Sequence, residues 1–155
     1  MRAVVLRRHG DPSVLERADL PEPTAGPGQA VVEVRACAVN RLDLWVRGGL
    51  PGMRLPLPHV LGSDIAGVVT AVGPGVDAGW LGREVVVGPG TSCGVCEACL
   101  SGWDNLCPRY AILGEQIGGG YCERLAVPAP NLLPKPAGLD FVQAAAVPLT
   151  FLTAW

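Results

Sequence analysis

At 155 residues, nearly half of them apolar (49%) and only 17% charged, the chain has the size of one ordinary domain, can bury a core and is too apolar for disorder. A formal net charge of −2, with no Lys/Arg run or basic stripe, argues against a nucleic-acid surface. No run reaches the roughly 18 unbroken apolar residues of a bilayer span, and the opening MRAVVLRRHG lacks a secretory leader's apolar stretch and cleavage site, so a cytoplasmic location is expected, where thiols stay reduced.

In chain order, residues 3–8 (AVVLRR) read as a first strand, followed by the turn-rich segment PEPTAGPGQ at 21–29. Residues 30–39 (AVVEVRACAV) set Val31, Glu33 and Arg35 on one face against Val32, Val34 and Ala36 on the other, the period of a strand. Asn40 stops it, and RLDLWVRGG (41–49) reads as a short helical turn ending at glycines. The segment LPLPHVLG is broken by prolines. Residues 63–76 and 83–90 read as two more strands, each with a Gly-Pro-Gly turn. A cysteine-rich irregular lobe follows, then a strand and extended chain over 118–136. Residues 141–155 (FVQAAAVPLTFLTAW) read as helix interrupted at Pro148. Many short strands with glycine turns predict a small barrel or sandwich.

The lobe holds Cys93, Cys96, Cys99 and Cys107, in the spacing C-x2-C-x2-C-x7-C. Four thiolates about 2.3 Å from one Zn²⁺ form a closed tetrahedron, with short gaps aiming neighbouring sulfurs at one point and the long gap closing the fourth corner. Such a metal has no open position for substrate; it contributes folding energy to a lobe too small for its own core. The competing readings are an iron–sulfur cluster and plain reduced cysteines. Cys107-Pro108 resembles the end of a ferredoxin run, but that run has a last gap of three residues where this chain has seven, and zinc is the expected metal. Cys37 and Cys122 stand alone among apolar residues and read as small buried side chains.

Together with the opening AVVLRRHG, the strand VVEVRACAVNRLDLWVRGG, the segment LPLPHVLGSDIAGVVTAVGPGV and the closing NLLPKPAGLDFVQAAAVPLTFLTAW, the cysteine lobe resembles the N-terminal catalytic domain of the medium-chain dehydrogenases/reductases. This is the superfamily of zinc alcohol dehydrogenases and quinone oxidoreductases. The resemblance implies a mainly β fold with short helices: a chaperonin-10 (GroES)-like, partly open barrel with a structural-zinc lobe at about 91–113. It covers residues 1–155, and it implies a Rossmann nucleotide-binding domain after residue 155, since no G-x-G-x-x-G occurs here. The terminal helix ends at Trp155 without a glycine or polar tail, and the chain is read as the first part of a longer protein, inactive by itself.

In zinc alcohol dehydrogenases a second, catalytic zinc takes ligands from a cysteine, the histidine of G-H-E and a third residue near the end of the domain. Those positions fall here at Asn40, at Ser63 (GSD in place of GHE) and near Leu149. Only Asp64 matches a group able to bind metal, and one carboxylate does not make a site. The resemblance therefore implies an NAD(P)-dependent oxidoreductase with structural zinc and no catalytic zinc, of the quinone or enone reductase kind, acting on small carbonyl, enone or quinone substrates. Full-length members commonly form homo-oligomers. The alternatives are a zinc-dependent alcohol dehydrogenase and a stand-alone zinc-braced binding module.

The resemblance places Asn40, Asp43, Ser63 and Asp64 in the catalytic cleft, Arg41 at the cofactor pyrophosphate and Thr153 against the nicotinamide. Against these stand local readings: Asn40 bonding its own backbone, Asp43 as a helix-start cap, Ser63 and Asp64 as turn formers, Arg41 as a surface arginine and Thr153 as a packing residue. Trp45 is expected in the core, with the substrate pocket as the alternative. His59, out of register with the zinc histidine, and His9 are expected to be structural.

Overall fold

The computed structural model describes residues 1–52 and 54–155. Its spine is a five-stranded antiparallel sheet, ordered β10-β6-β5-β3-β9. The strands are β3 (Gln29–Ala38), β5 (Asp64–Val72), β6 (Glu84–Val87), β9 (Arg124–Pro128) and β10 (Leu132–Pro134). A three-stranded sheet, β2-β1-β4, packs β1 (Arg2–Leu6) between β2 (Leu15–Asp19) and β4 (His59–Val60). The bridge between Ala3 and Cys122 and the bond from Val4 N to Tyr121 O (2.8 Å) join this sheet to the segment entering β9. Among the described residues neither sheet closes on itself, and the result is the mainly β, partly open barrel that the resemblance implies.

The alternating pattern explains both faces of the spine. Val85 and Val87 of β6 join Val32, Ile65, Val69 and Leu132 in the main core. Val86 and Ala66, one residue out of phase, point to the other face and meet Ala144 and Ala145, as a period of two requires. Those alanines belong to α3 (Phe141–Ala145), and their small side chains let the helix approach the sheet closely. Each fully buried valine contributes on the order of 1.5–3 kcal/mol by apolar transfer.

Three elements differ from the sequence reading. β2 and β4 were not anticipated: Leu15–Asp19 has a buried pattern no stronger than intermediate, and β4 is only two residues long. The helical turn after Asn40 is a full helix, α1 (Arg41–Gly48). The terminal helix, by contrast, is interrupted at Pro148 as the sequence reading has it, giving α3 and α4 (Pro148–Ala154). Pro148 has no N–H to continue α3 and opens α4 at its first position.

The cysteine segment leaves the barrel through a neck, β7 (Gly90–Thr91) paired with β8 (Ala111–Ile112). Thr91 Oγ1 donates to Ala111 O at 3.0 Å and ties the neck. The lobe itself has one short helix, α2 (Glu97–Leu100), and a 3-10 turn at Asp104–Leu106.

Candidate functional site

The lobe brings its four cysteines to one point. The sulfurs of Cys93, Cys96, Cys99 and Cys107 all lie within 4.8 Å of one another. The Cys93–Cys99 and Cys96–Cys99 separations are 3.8 and 3.4 Å, close to the ~3.8 Å edge of a tetrahedron with 2.3 Å Zn–S bonds. Backbone amides surround them: Cys93 N and Arg109 N both donate to Cys107 Sγ, at 3.4 and 3.3 Å. The Val95 N–H, followed by Arg109, holds the Cys93 thiol down at about 5, whereas the Cys96 thiol in the same cluster is raised to about 11; a bound metal would hold all four as thiolates. These residues fit a structural zinc. Among the described residues no other group of three or more His, Cys, Asp or Glu side chains converges in this way.

The second cluster forms where the end of β3, the start of α1 and the start of β5 meet. Asn40 has extended backbone (φ −110°, ψ 157°) and caps α1. Its Oδ1 accepts from Leu42 N at 3.1 Å, while its own N–H donates to Asp43 Oδ2 at 2.7 Å, a reciprocal capping arrangement. Asp43 reaches further than a cap. It is 3% exposed and also accepts from Gly62 N at 2.9 Å and from the Tyr121 hydroxyl at 3.1 Å. Burial pushes its carboxyl up, opposed by these three donors. The same burial, with Asp43 alongside, pushes the Tyr121 phenol up, so Tyr121 stays the donor.

Asp64, 1% exposed, uses both oxygens: Oδ2 accepts from Asn40 Nδ2 at 2.8 Å and Oδ1 from Leu149 N at 2.6 Å. Ser63 is fully buried and donates its hydroxyl to Leu113 O at 2.6 Å. Asp64 opens the buried strand β5 and Ser63 precedes it, so of the two readings the turn-former one does not hold; the left-handed backbone here belongs to Gly62, at φ +100°. A Cβ there would come within 2.6 Å of Tyr121 Cδ1 and 2.7 Å of Cys37 Sγ, so glycine is required on two counts.

Asn40, Asp43 and Asp64 are thus hydrogen-bonded together, with Ser63 beside them but turned away. Arg41 is exposed at the first position of α1, and Thr153 is exposed on α4, with its Oγ1 donating to Leu149 O at 2.8 Å. Trp45 is 52% exposed, so the expected core position is corrected: it lies on the outer face of α1, while Val46 takes the buried one. His9 Nδ1 lies 2.9 Å from Val46 O. His59 is buried, with Nε2 3.3 Å from Gly114 O and its pKa lowered by burial. Cys37 and Cys122 are half-buried rather than buried; burial raises both thiols, Cys122 to about 11.

Sequence reasoning missed Tyr121. A signal was present in GGGY. Gly119 N, Gly120 N and Tyr121 N bond to Val60 O, Gly62 O and Leu61 O, and a Cβ at Gly119 would sit 2.2 Å from Gly62 O. Those glycines let two backbones touch and deliver the tyrosine to Asp43.

Comparison with known proteins now places the chain. The family model described as "Alcohol dehydrogenase GroES-like domain" matches residues 26–137, and the chain belongs to that family. It is 34% identical over 132 residues to the starvation-sensing protein RspB of Escherichia coli, covering 84% of this chain and 38% of that protein. It is 32% identical over 149 residues to an alcohol dehydrogenase of Geobacillus stearothermophilus, covering 95% of this chain and 43% of that protein. Among solved structures, an NAD-dependent alcohol dehydrogenase superposes with a TM-score of 0.95 at 60% identity, over 100% of this chain and 45% of that one. A cobalt- and zinc-bound thermostable alcohol dehydrogenase from Pyrobaculum aerophilum superposes at 0.88 with 37% identity, over 100% of this chain and 46% of that one. The chain spans less than half the length of these relatives. Their names favour alcohol dehydrogenases over quinone reductases.

Proposed function

We propose that residues 1–155 form the catalytic domain of a cytoplasmic NAD(P)-dependent oxidoreductase that moves hydride between a nicotinamide and a small carbonyl or alcohol, with no metal at the reacting oxygen. The observation that carries this reading is the Asn40–Asp64 pair. The resemblance puts catalytic-zinc ligands at Asn40, at Ser63 and near Leu149. In their place stand an amide bonded to a carboxylate, a hydroxyl bonded to a carbonyl, and a leucine. Among these groups only Asp64 is a good metal ligand.

The nicotinamide, when bound, supplies or takes the hydride. The nucleotide-binding half is assigned to the additional length that the relatives have. Asn40 Nδ2 carries two hydrogens, and Asp64 accepts one. The second is available to an oxygen that becomes negative as hydride reaches its carbon; a proton from solvent then completes the alcohol. Asp64 on Nδ2 and Leu42 N on Oδ1 hold the two ends of the Asn40 amide and fix its plane, Asp43 holds the Asn40 backbone N–H, and Ser63 ties the head of β5 to Leu113. Arg41 and Thr153, both exposed, are assigned to the cofactor. One amide donor stabilises an oxyanion less than a metal does, which favours activated acceptors such as enones and quinones.

A second reading, zinc-dependent alcohol oxidation, is supported by the names of the relatives, including the 60% identical NAD-dependent alcohol dehydrogenase. The intact full-length protein decides between them when NADH and NADPH are assayed against quinones, enones and aldehydes, and NAD⁺ and NADP⁺ against simple alcohols. Carbonyl reduction that survives removal of all but the lobe zinc supports the first reading. Alcohol oxidation that tracks a second zinc overturns it.

A further inference from the structure

α4 begins without a cap of its own. Val147 precedes it and offers no side-chain bond, and Pro148 has no N–H. The first available amide of the helix is that of Leu149. It donates to Asp64 Oδ1 at 2.6 Å, across 85 positions of sequence. The other oxygen of the same carboxylate receives Asn40 Nδ2 at 2.8 Å, and Asn40 is the cap of α1. One buried carboxylate therefore ties together the start of α1, the start of β5 and the start of α4. The tie continues one step outward, since the Thr153 hydroxyl donates to Leu149 O at 2.8 Å.

We propose that Asp64 is a positioning residue: it serves α4 as an N-cap supplied from another element, and so fixes Thr153 relative to Asn40. That Thr153 then forms one wall of the nicotinamide site rests on the function proposed above; the capping role does not. Both oxygens of Asp64 face protein donors and 1% of the residue is exposed, which favours holding the helix over touching substrate. An ordinary cap satisfies one of the helix's first amides from the residue just before it. Here the preceding valine cannot, and a carboxylate from the neighbouring strand does so instead.

The test uses the full-length protein with Asp64→Ala and Asp64→Asn. The asparagine keeps an acceptor for Leu149 N but sets an amide donor against Asn40 Nδ2, so it restores part of the arrangement. Amide exchange over residues 149–155 should accelerate about tenfold in Asp64→Ala and less in Asp64→Asn, as expected for loss of a cap, with a much smaller change over 41–48, where Asp43 still holds the start of α1. The KM for NADH or NADPH should rise by more than kcat falls, again more in the alanine variant; a merely destabilised protein would lose active fraction and leave KM in place. Unchanged exchange in α4 overturns the capping role. Faster exchange with kcat reduced and cofactor KM unmoved overturns the link to the cofactor wall. If the wild-type protein reduces no carbonyl with either nucleotide, the function reading fails while the exchange measurement still decides the cap.

Discussion

The zinc lobe and the Asn40–Asp64 cluster hold their chain segments by opposite means. The lobe is mostly surface: Val95, Leu100, Trp103 and Leu106 are exposed, and of the four ligands only Cys107 is buried. Almost nothing apolar holds it, so its shape depends on one metal bound by four sulfurs. The cluster is the reverse. Asp43, Ser63 and Asp64 are buried in the barrel, and their polar atoms are satisfied one by one by neutral donors and acceptors. The described buried side chains leave no nitrogen or oxygen without a partner. One region therefore fails all at once when a single component leaves, whereas the other loses its order bond by bond.

The largest effect is expected in the lobe. Replacing Cys107 with serine removes the buried corner of the tetrahedron, and zinc should fall from about one per chain toward none, since metal binding and lobe folding are one event. Metal analysis together with proteolysis between residues 91 and 113 reads both. The barrel should keep its cooperative unfolding; a collapse of the whole domain would show that the two regions are not separate.

In the cluster, Asp43→Ala leaves Asn40 N, Gly62 N and the Tyr121 hydroxyl without their acceptor. At ~1–3 kcal/mol for each unsatisfied buried donor, a destabilisation of about 3 kcal/mol or more is expected from denaturant titration, with zinc content unchanged. A loss under about 1 kcal/mol would mean that water replaces the carboxylate, and that the cluster is wetter than its burial implies.

The pH dependence is smaller. Burial lowers the folded pKa of His59 below its ordinary 6.5, so the unfolded chain binds the proton first. Stability from this residue is present above about pH 6.5 and falls as the pH drops below it, by at most about 1.4 kcal/mol per pH unit. Asp43 works in the opposite sense, because its folded pKa is raised. His59→Gln, which keeps a donor for Gly114 O, should flatten the slope between pH 5 and 6.5 in a denaturant series. The smallest effect belongs to Trp45→Ala: with the indole half exposed, stability should move by about 0.5 kcal/mol or less. A larger loss would return Trp45 to a structural role.

The regions also differ in how far the sequence reveals them. The lobe is legible because its chemistry is local: four cysteines within a 15-residue span, 93–107, carry ligand type and spacing on their own. The long strands are legible too, since the alternation in VVEVRA and the unbroken β-branched run VVV are both strong strand signals. The cluster is legible only as positions. Its partners lie far apart in sequence, Asp43 to Tyr121 across 78 residues and Asp64 to Leu149 across 85, and no local pattern announces such contacts. The exposed face of Trp45 was hidden for a similar reason, because a short helix with Val46 beside it offers two apolar candidates for one buried place.

Counting metal in the intact protein reaches the central claim most directly, with the wild type set beside Cys107→Ser, Asp64→Ala and Asn40→Ala. The account predicts about one zinc per chain in the wild type, kept in both cluster variants and lost in the cysteine variant. About two zincs in the wild type, one of them lost when Asp64 or Asn40 is changed, would contradict it.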